Sequence, residues 1–191
     1  MVAATLWAVI ALALACTEIQ WANRRRAITG GAPAAVDRAA RASDDALLAC
    51  YAIALGAPVL SAPVLGTATS PAWVTAGALL GAGGVVLRVA AMRALGRRFM
   101  LALSMQPDDP RLVRDRCYGV VRHPGYTALL LVAVGLAWIS GGPVPTVWVV
   151  PAAALVVARI RVEETMLARE FGQEFDDYRS EVSARLMPRV W

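Results

Sequence analysis

The only histidine of the 191-residue chain stands in Arg122-His123-Pro124-Gly125-Tyr126, where an arginine-rich stretch gives way to a long apolar run. An imidazole, a guanidinium and a phenol at such a junction suit chemistry on a greasy substrate at a bilayer surface. Proline fits the first turn of a helix, where its missing N–H is no loss, so Pro124 marks a helix start. His123 is then at or near the N-cap, in the extended conformation that a following proline imposes. The unpaired amides of that helix start carry partial positive charge and favour a carboxylate or phosphate. A second polar constellation, Arg159-x3-Glu163-Glu164, lies at the far end of the next apolar run. Arg159 and Glu163, four apart, share a helical face with about 6 Å of rise between them. Arg161 and Glu164 form a neighbouring face. By themselves these residues read as ordinary interfacial ion pairs, each worth little.

The elements that must position these groups follow from composition. The chain is 58% hydrophobic with a mean hydropathy of +0.55, and its apolar residues come in blocks long enough to cross a bilayer. The sequence predicts an all-α, polytopic membrane protein with about five spans: Val2 to Ala22, Ala46 to Gly66, Ala72 to Leu95, Pro124 to Ser140 and Val144 to Val162. The first block lacks a basic region before its apolar stretch, so it reads as a retained span and not a signal peptide. Residues 1–191 form one membrane domain with no separate soluble catalytic module. Gly141-Gly142-Pro143 makes the last two spans a tight hairpin, which brings His123 and Tyr126 beside Arg159 and Glu163.

Charge placement orients the bundle. All 19 basic residues are arginine; five lie between Asn23 and Asp45, seven between Arg93 and Arg122, six from Arg159 onward, and Arg88 sits inside the third span. The connections Thr67 to Pro71 and Gly141 to Pro143 carry no charge. The N-terminus is therefore expected outside and the C-terminus and site in the cytoplasm, in the inner (plasma) membrane of the cell. The pI near 9.7 follows from this topology, with attraction for anionic lipid headgroups as a by-product, so nucleic acid is not an expected partner. Cys16, Cys50 and Cys117 show no metal-ligand spacing, and neither disulfides nor a metal site is expected.

Between these landmarks, residues 24–45 read as a surface loop. Gly77-x3-Gly81, followed by Gly83 and Gly84, reads as a small-residue face for close helix packing; a nucleotide fingerprint would need a preceding strand. Glu18 and Arg88, costly in lipid, are expected to face inward or to snorkel, and a structural pair between them at similar depth is favoured over a substrate contact. Gln106-Pro107-Asp108-Asp109-Pro110 forms a turn. After Glu164 the chain continues as an amphipathic helix with Leu167, Phe171, Phe175 and Tyr178 on one face and a break at Gly172. This cytoplasmic helix packs on the bundle or the headgroups and is placed to close the site.

The blocks Tyr118-Gly119-Val120-Val121-Arg122-His123-Pro124-Gly125-Tyr126 and Arg159-x3-Glu163-Glu164-x2-Leu167-x3-Phe171-Gly172-x2-Phe175-x2-Tyr178, ending in Arg185-Leu186-Met187-Pro188, resemble the isoprenylcysteine carboxyl methyltransferase family. The resemblance covers roughly Leu112 to Pro188. It extends to membrane methyltransferases acting on phospholipids and, more distantly, to sterol reductases. It implies transfer of a methyl group from S-adenosylmethionine, held between the cytoplasmic ends of the last two spans and the C-terminal helix, in a part running from about 104 to 188.

By the same resemblance His123, Pro124, Gly125 and Tyr126 line the cofactor pocket, together with Tyr118 and the preceding Arg111, Leu112 and Val113. Glu163 contacts cofactor and Arg159 meets the substrate, which makes these two the catalytic pair; Gln106 matches a further cofactor contact across a gap. Arg116 departs from the small residue usual two positions before the tyrosine. The implied partner is a lipophilic or lipidated molecule entering from the bilayer.

The acceptor stays open at this point. A carboxylate arrives ionised, and Arg159 would orient it without a general base. A phenolic, alcoholic or other lipidic acceptor would need His123 or Glu163 to take its proton. A nicotinamide-dependent reductase and a non-enzymatic bundle are the rival classes. Sterol reductases are much longer chains, and a transporter would carry its charges nearer the midplane.

Overall fold

The computed structural model describes residues 2–29, 69–96 and 112–188, with positions 49, 52, 53, 56–58 and 60 between; for 20–29 the backbone alone is described. Every regular element among them is helical: α1 (Val2–Thr29), α2 (Pro71–Leu95), α3 (Pro124–Gly141), α4 (Val149–Phe171) and α5 (Gln173–Glu181). Short 3-10 turns occupy Arg116–Gly119 and Val144–Trp148. Val2–Ile19, Pro71–Leu95, Pro124–Gly141 and Val144–Phe171 are long and apolar enough to span a bilayer. The protein is an all-α, polytopic membrane protein. The expected span from Ala46 to Gly66 lies, apart from those few positions, outside the described residues, as do Cys50, Gln106 and Arg111.

Helix α3 is the centre of the bundle. Leu129, Val132, Ala133, Leu136 and Ile139 are buried, packed with Ile10 and Leu14 of α1 and with Ala152, Val156 and Ile160 of α4. By contrast Val9, Leu12, Leu79, Val86 and Val150 are exposed on the outer faces of the other spans, where acyl chains take the place of a core. Lipid is as apolar as leucine, so helices in it are held by close packing. Glycine makes that possible between α2 and α3. A Cβ on Gly135 would stand 2.6 Å from the Gly77 carbonyl oxygen, and one on Gly84 would stand 2.8 Å from that of Ala128. Gly81 makes room for Ile10 of α1. The glycine motif is a packing face, as its spacing predicts.

At the uncharged end, the Trp73 and Trp138 rings meet edge-on with centroids 5.2 Å apart, and Trp138 Nε1 donates to Thr146 Oγ1 at 3.0 Å. Gly142, at φ 72°, reverses the chain against the Trp73 ring. The expected tight hairpin is thus extended by one 3-10 turn before α4 begins. At its other end α4 runs without a break past the expected span end at Val162 to Phe171, so the amphipathic helix expected after Glu164 is its continuation. Gly172, at φ 49°, supplies the break, and α5 folds back. Phe175, Tyr178 and Val182 then form a small second core with Leu112, Leu167, Ala168 and Phe171.

The close approach of α2 and α3 is testable. Gly135→Val is expected to destabilise the purified protein by about 1–3 kcal/mol, the usual cost of overpacking, measured by thermal unfolding in detergent. Gly83→Ala, where an added Cβ meets nothing within 4 Å, is expected to unfold with the wild type.

Candidate active site

Pro124 opens α3 as its first residue, with His123 at the N-cap. His123 has ψ 58°, short of the extended value expected before proline, because its backbone is held from outside the helix. Arg122 N donates to Ala184 O and His123 N to Arg185 O, both at 2.9 Å, and Thr127 Oγ1 donates to Leu186 O at 2.7 Å. The segment after α5 is therefore laced onto the start of α3. Arg122 adds its side chain: Nη1 donates to Val182 O at 2.6 Å and Ser183 O at 2.8 Å, while Nε and Nη2 grip Glu164 Oε1 at 3.0 and 2.9 Å.

Glu164 is the hub. Besides Arg122 it receives Arg185, whose Nη2 lies 2.9 Å from Oε2, and its Oε1 faces His123 Nε2 at 3.3 Å. Its side chain is 8% exposed and that of Arg122 5%. Both are far from water, so each depends on the other's charge. Arg161, on the neighbouring face of α4, is exposed and plays no part in this cluster.

One residue earlier on the helix, Glu163 faces a different set. Tyr126 Oη donates to Glu163 Oε1 at 2.6 Å, and Arg159 Nε donates both to Tyr126 Oη at 3.1 Å and to Glu163 Oε1 at 3.0 Å. Arg159 is 4% exposed, so the pair is no ordinary surface ion pair. The His123 ring, 7% exposed, stands between the two carboxylates, with Nδ1 3.7 Å from Glu163 Oε2. Both imidazole nitrogens thus face carboxylates.

The expected residues come together in large part. His123, Pro124, Gly125, Tyr126, Arg159 and Glu163 form one largely buried cluster, whereas the Tyr118 carbonyl accepts a 2.8 Å hydrogen bond from Tyr178 Oη and is tied to the small second core. Burial, the largest influence, pushes the phenols of Tyr118 and Tyr178 well above their usual range, and both stay neutral. Burial likewise raises the Cys117 thiol. Leu112 sends its side chain into the small core against α5, and Val113 follows it, partly buried. Arg114 clasps α5, donating to Glu174 O at 2.6 Å and standing over the Tyr178 ring. Sequence reasoning noted Arg122, Glu164 and Arg185 within the motif blocks, grouped Glu164 with Arg161, and missed that Arg122, Arg185 and Thr127 tie the segment after α5 to the start of α3. That tie runs largely through main-chain bonds, which no side-chain pattern reveals.

These features define an integral membrane protein with a buried, mixed-charge site at one surface. The Phospholipid methyltransferase family model matches residues 72–174, and the chain belongs to that family. It is 33% identical over 109 residues to a probable protein-S-isoprenylcysteine O-methyltransferase of Oryza sativa subsp. indica, covering 54% of this chain and 55% of the relative. It is 33% identical over 105 residues to the protein-S-isoprenylcysteine O-methyltransferase of Schizosaccharomyces pombe (52% and 43% covered). With protein-S-isoprenylcysteine O-methyltransferase B of Arabidopsis thaliana the identity is 30% over 105 residues (52% and 51%). The chain spans about half the length of the curated relatives it matches. No solved structure matches it.

Removing the hub has a definite cost. Glu164→Ala leaves buried cations without their counter-charge and is expected to lower stability by about 3–5 kcal/mol. Glu174→Ala, at a half-exposed site, is expected to stay within about 0.5 kcal/mol of wild type. Thermal unfolding in detergent compares them, and equal losses would contradict the hub.

Proposed function

We propose that this protein is an S-adenosylmethionine-dependent methyltransferase that methylates the carboxyl group of a lipophilic, prenylcysteine-like acceptor at the cytoplasmic face of the cell membrane. The observation that carries the proposal is the Tyr126–Arg159–Glu163 network, buried where α3 and α4 leave the apolar layer. The charged residues described at that end, against none in residues 141–148, support a cytoplasmic site.

The donor set fits the cofactor, which carries an ammonium, a sulfonium and a carboxylate. Glu163 Oε2 is beyond hydrogen-bonding distance of His123 Nδ1 and keeps acceptor capacity for a cation. The positive end of the α3 dipole and the one-third exposed Arg185 favour an anion. His123, Pro124, Gly125, Tyr126, Glu163 and Tyr118 would hold the cofactor, with Arg111, Leu112 and Val113 completing the pocket within the part from about 104 to 188. Bound there, S-adenosylmethionine would supply a methyl group already activated on a sulfonium.

The protein's task is then alignment, which suffices to lower such a barrier substantially. Arg159, fixed in place by Tyr126 and Glu163, orients an ionised carboxylate as a charged partner. No proton has to be removed, and His123, held between two carboxylates, is not needed as a base. A lipid tail reaches this position sideways from the bilayer while a polar cofactor enters from the aqueous side. The names of the plant and yeast relatives favour the carboxyl acceptor.

Methyl transfer from radiolabelled S-adenosylmethionine to a panel of prenylated acids, phenols and phospholipid amines tests the proposal. Acid labelling is expected, with a rate that is flat above about pH 7, since carboxylates with pKa values near 4 are fully ionised there. Labelling confined to phenols, rising with pH, would replace the carboxyl acceptor by one that needs a base. Arg159→Ala is expected to cut turnover on the order of a hundredfold. Near-native turnover in that variant would remove its substrate role.

A further inference from the structure

Gly125 needs explaining. Its φ is not in the left-handed region, unlike those of Gly96, Gly142 and Gly172, so conformational freedom does not account for it. Space does. A Cβ at 125 would stand 2.7 Å from Arg88 Nη1 and 3.9 Å from Arg88 Cζ, with no other group among the described residues as near. Arg88 belongs to α2 and is 4% exposed. A flexible arginine elsewhere would swing aside, but this one is anchored: its Nε donates to Glu18 Oε1 of α1 at 2.8 Å. A guanidinium in a membrane span is costly, and beside the positive end of a helix it gains nothing from the helix dipole. Glu18 offsets the charge, and the guanidinium is brought up against the first turn of α3.

Gly125 lies between Pro124 and Tyr126, so its backbone sets where the Tyr126 hydroxyl meets Glu163 and Arg159. Arg88 is close enough for its charge to act on the Tyr118 phenol as well. We propose that Arg88, anchored by Glu18, is a positioning residue that braces the Gly125 backbone and so fixes Tyr126 and His123 for cofactor binding. The inference rests on reading this cluster as the cofactor site and adds α1 and α2 to what shapes it. A planar fork with delocalised charge can lie against a glycine backbone while one edge stays on a carboxylate; an ammonium cannot do both.

Calorimetric titration of S-adenosylhomocysteine into the full chain in detergent reads a cycle of Arg88→Lys, Gly125→Ala and the double variant. Arg88→Lys keeps a charge for Glu18 but loses the fork, so the unfolding temperature stays near wild type while Kd rises about tenfold. An ion pair that merely tied α1 to α2 would move the unfolding temperature and leave Kd alone. Gly125→Ala displaces the same guanidinium and raises Kd comparably. The double variant binds no worse than the weaker single variant, because both changes remove one contact.

Losses that multiply, or wild-type affinity in Arg88→Lys, would overturn the positioning role. Should Arg88→Lys fail to fold, Glu18→Gln takes its place in the cycle, because it loosens the anchor without shortening the arginine, and the same two outcomes decide. Absence of binding by the wild type would overturn both the positioning role and the reading of the site beneath it.

Discussion

A carboxylate buried near the membrane boundary must be met by cations, and the way Glu164 is met determines the rest of this site. Its partners come from the start of α3, through Arg122 and His123, and from the segment after α5, through Arg185. Three stretches distant in sequence are thereby fixed to one point. The same bond set decides how α4 is rotated. Successive helical residues point about 100° apart, so a helix that turns Glu164 to the laced segment turns Glu163 to Tyr126 and Arg159. Two adjacent glutamates face two ways: Glu164 ties the laced segment to the helix, and Glu163 meets Tyr126 and Arg159.

Lipid supplies no hydrophobic drive between helices, so the depth and tilt of α3 rest on close packing along its length. Gly135 lies against Gly77 near one end, with the Trp73–Trp138 contact beyond it. Arg88 against Gly125 does the same at the other. Where the chain enters α3, the Ala184 and Arg185 carbonyls accept from the Arg122 and His123 amides and hold the residues just before the helix in place. The polar site is thus built on the most buried helix of the bundle.

What the sequence disclosed was what has a local period or a fixed local rule. Apolar runs announced the four described spans, proline announced the start of α3, and Gly172 the break before α5. The four-residue spacing of Arg159 and Glu163 put them on one face, and the Gly77-x3-Gly81 spacing marked a packing surface. Glu18 and Arg88 were legible as a pair because unmatched charge at similar depth in lipid leaves few options. The partners of Glu164 were not legible. Arg122 and Arg185 are 42 and 21 residues away, and the extended segment that brings Arg185 in is held by backbone groups that every residue has. Spacing alone grouped Glu164 with the exposed Arg161 instead. The helix beyond Val162 was legible as an amphipathic run ending at Gly172; that it continues the span without interruption was not, because the hydropathy falls there.

The central claim is that the start of α3, laced to residues 182–186 through Glu164, is where the cofactor binds. Hydrogen exchange of the full chain in detergent, with and without S-adenosylhomocysteine, reads it directly. The account predicts that amides from Arg122 to Thr127 and from Val182 to Leu186 slow together on addition of the ligand, while those in the middle of α2 and α3 stay unchanged. Slowing elsewhere in the chain, with these two stretches exchanging as before, would contradict it.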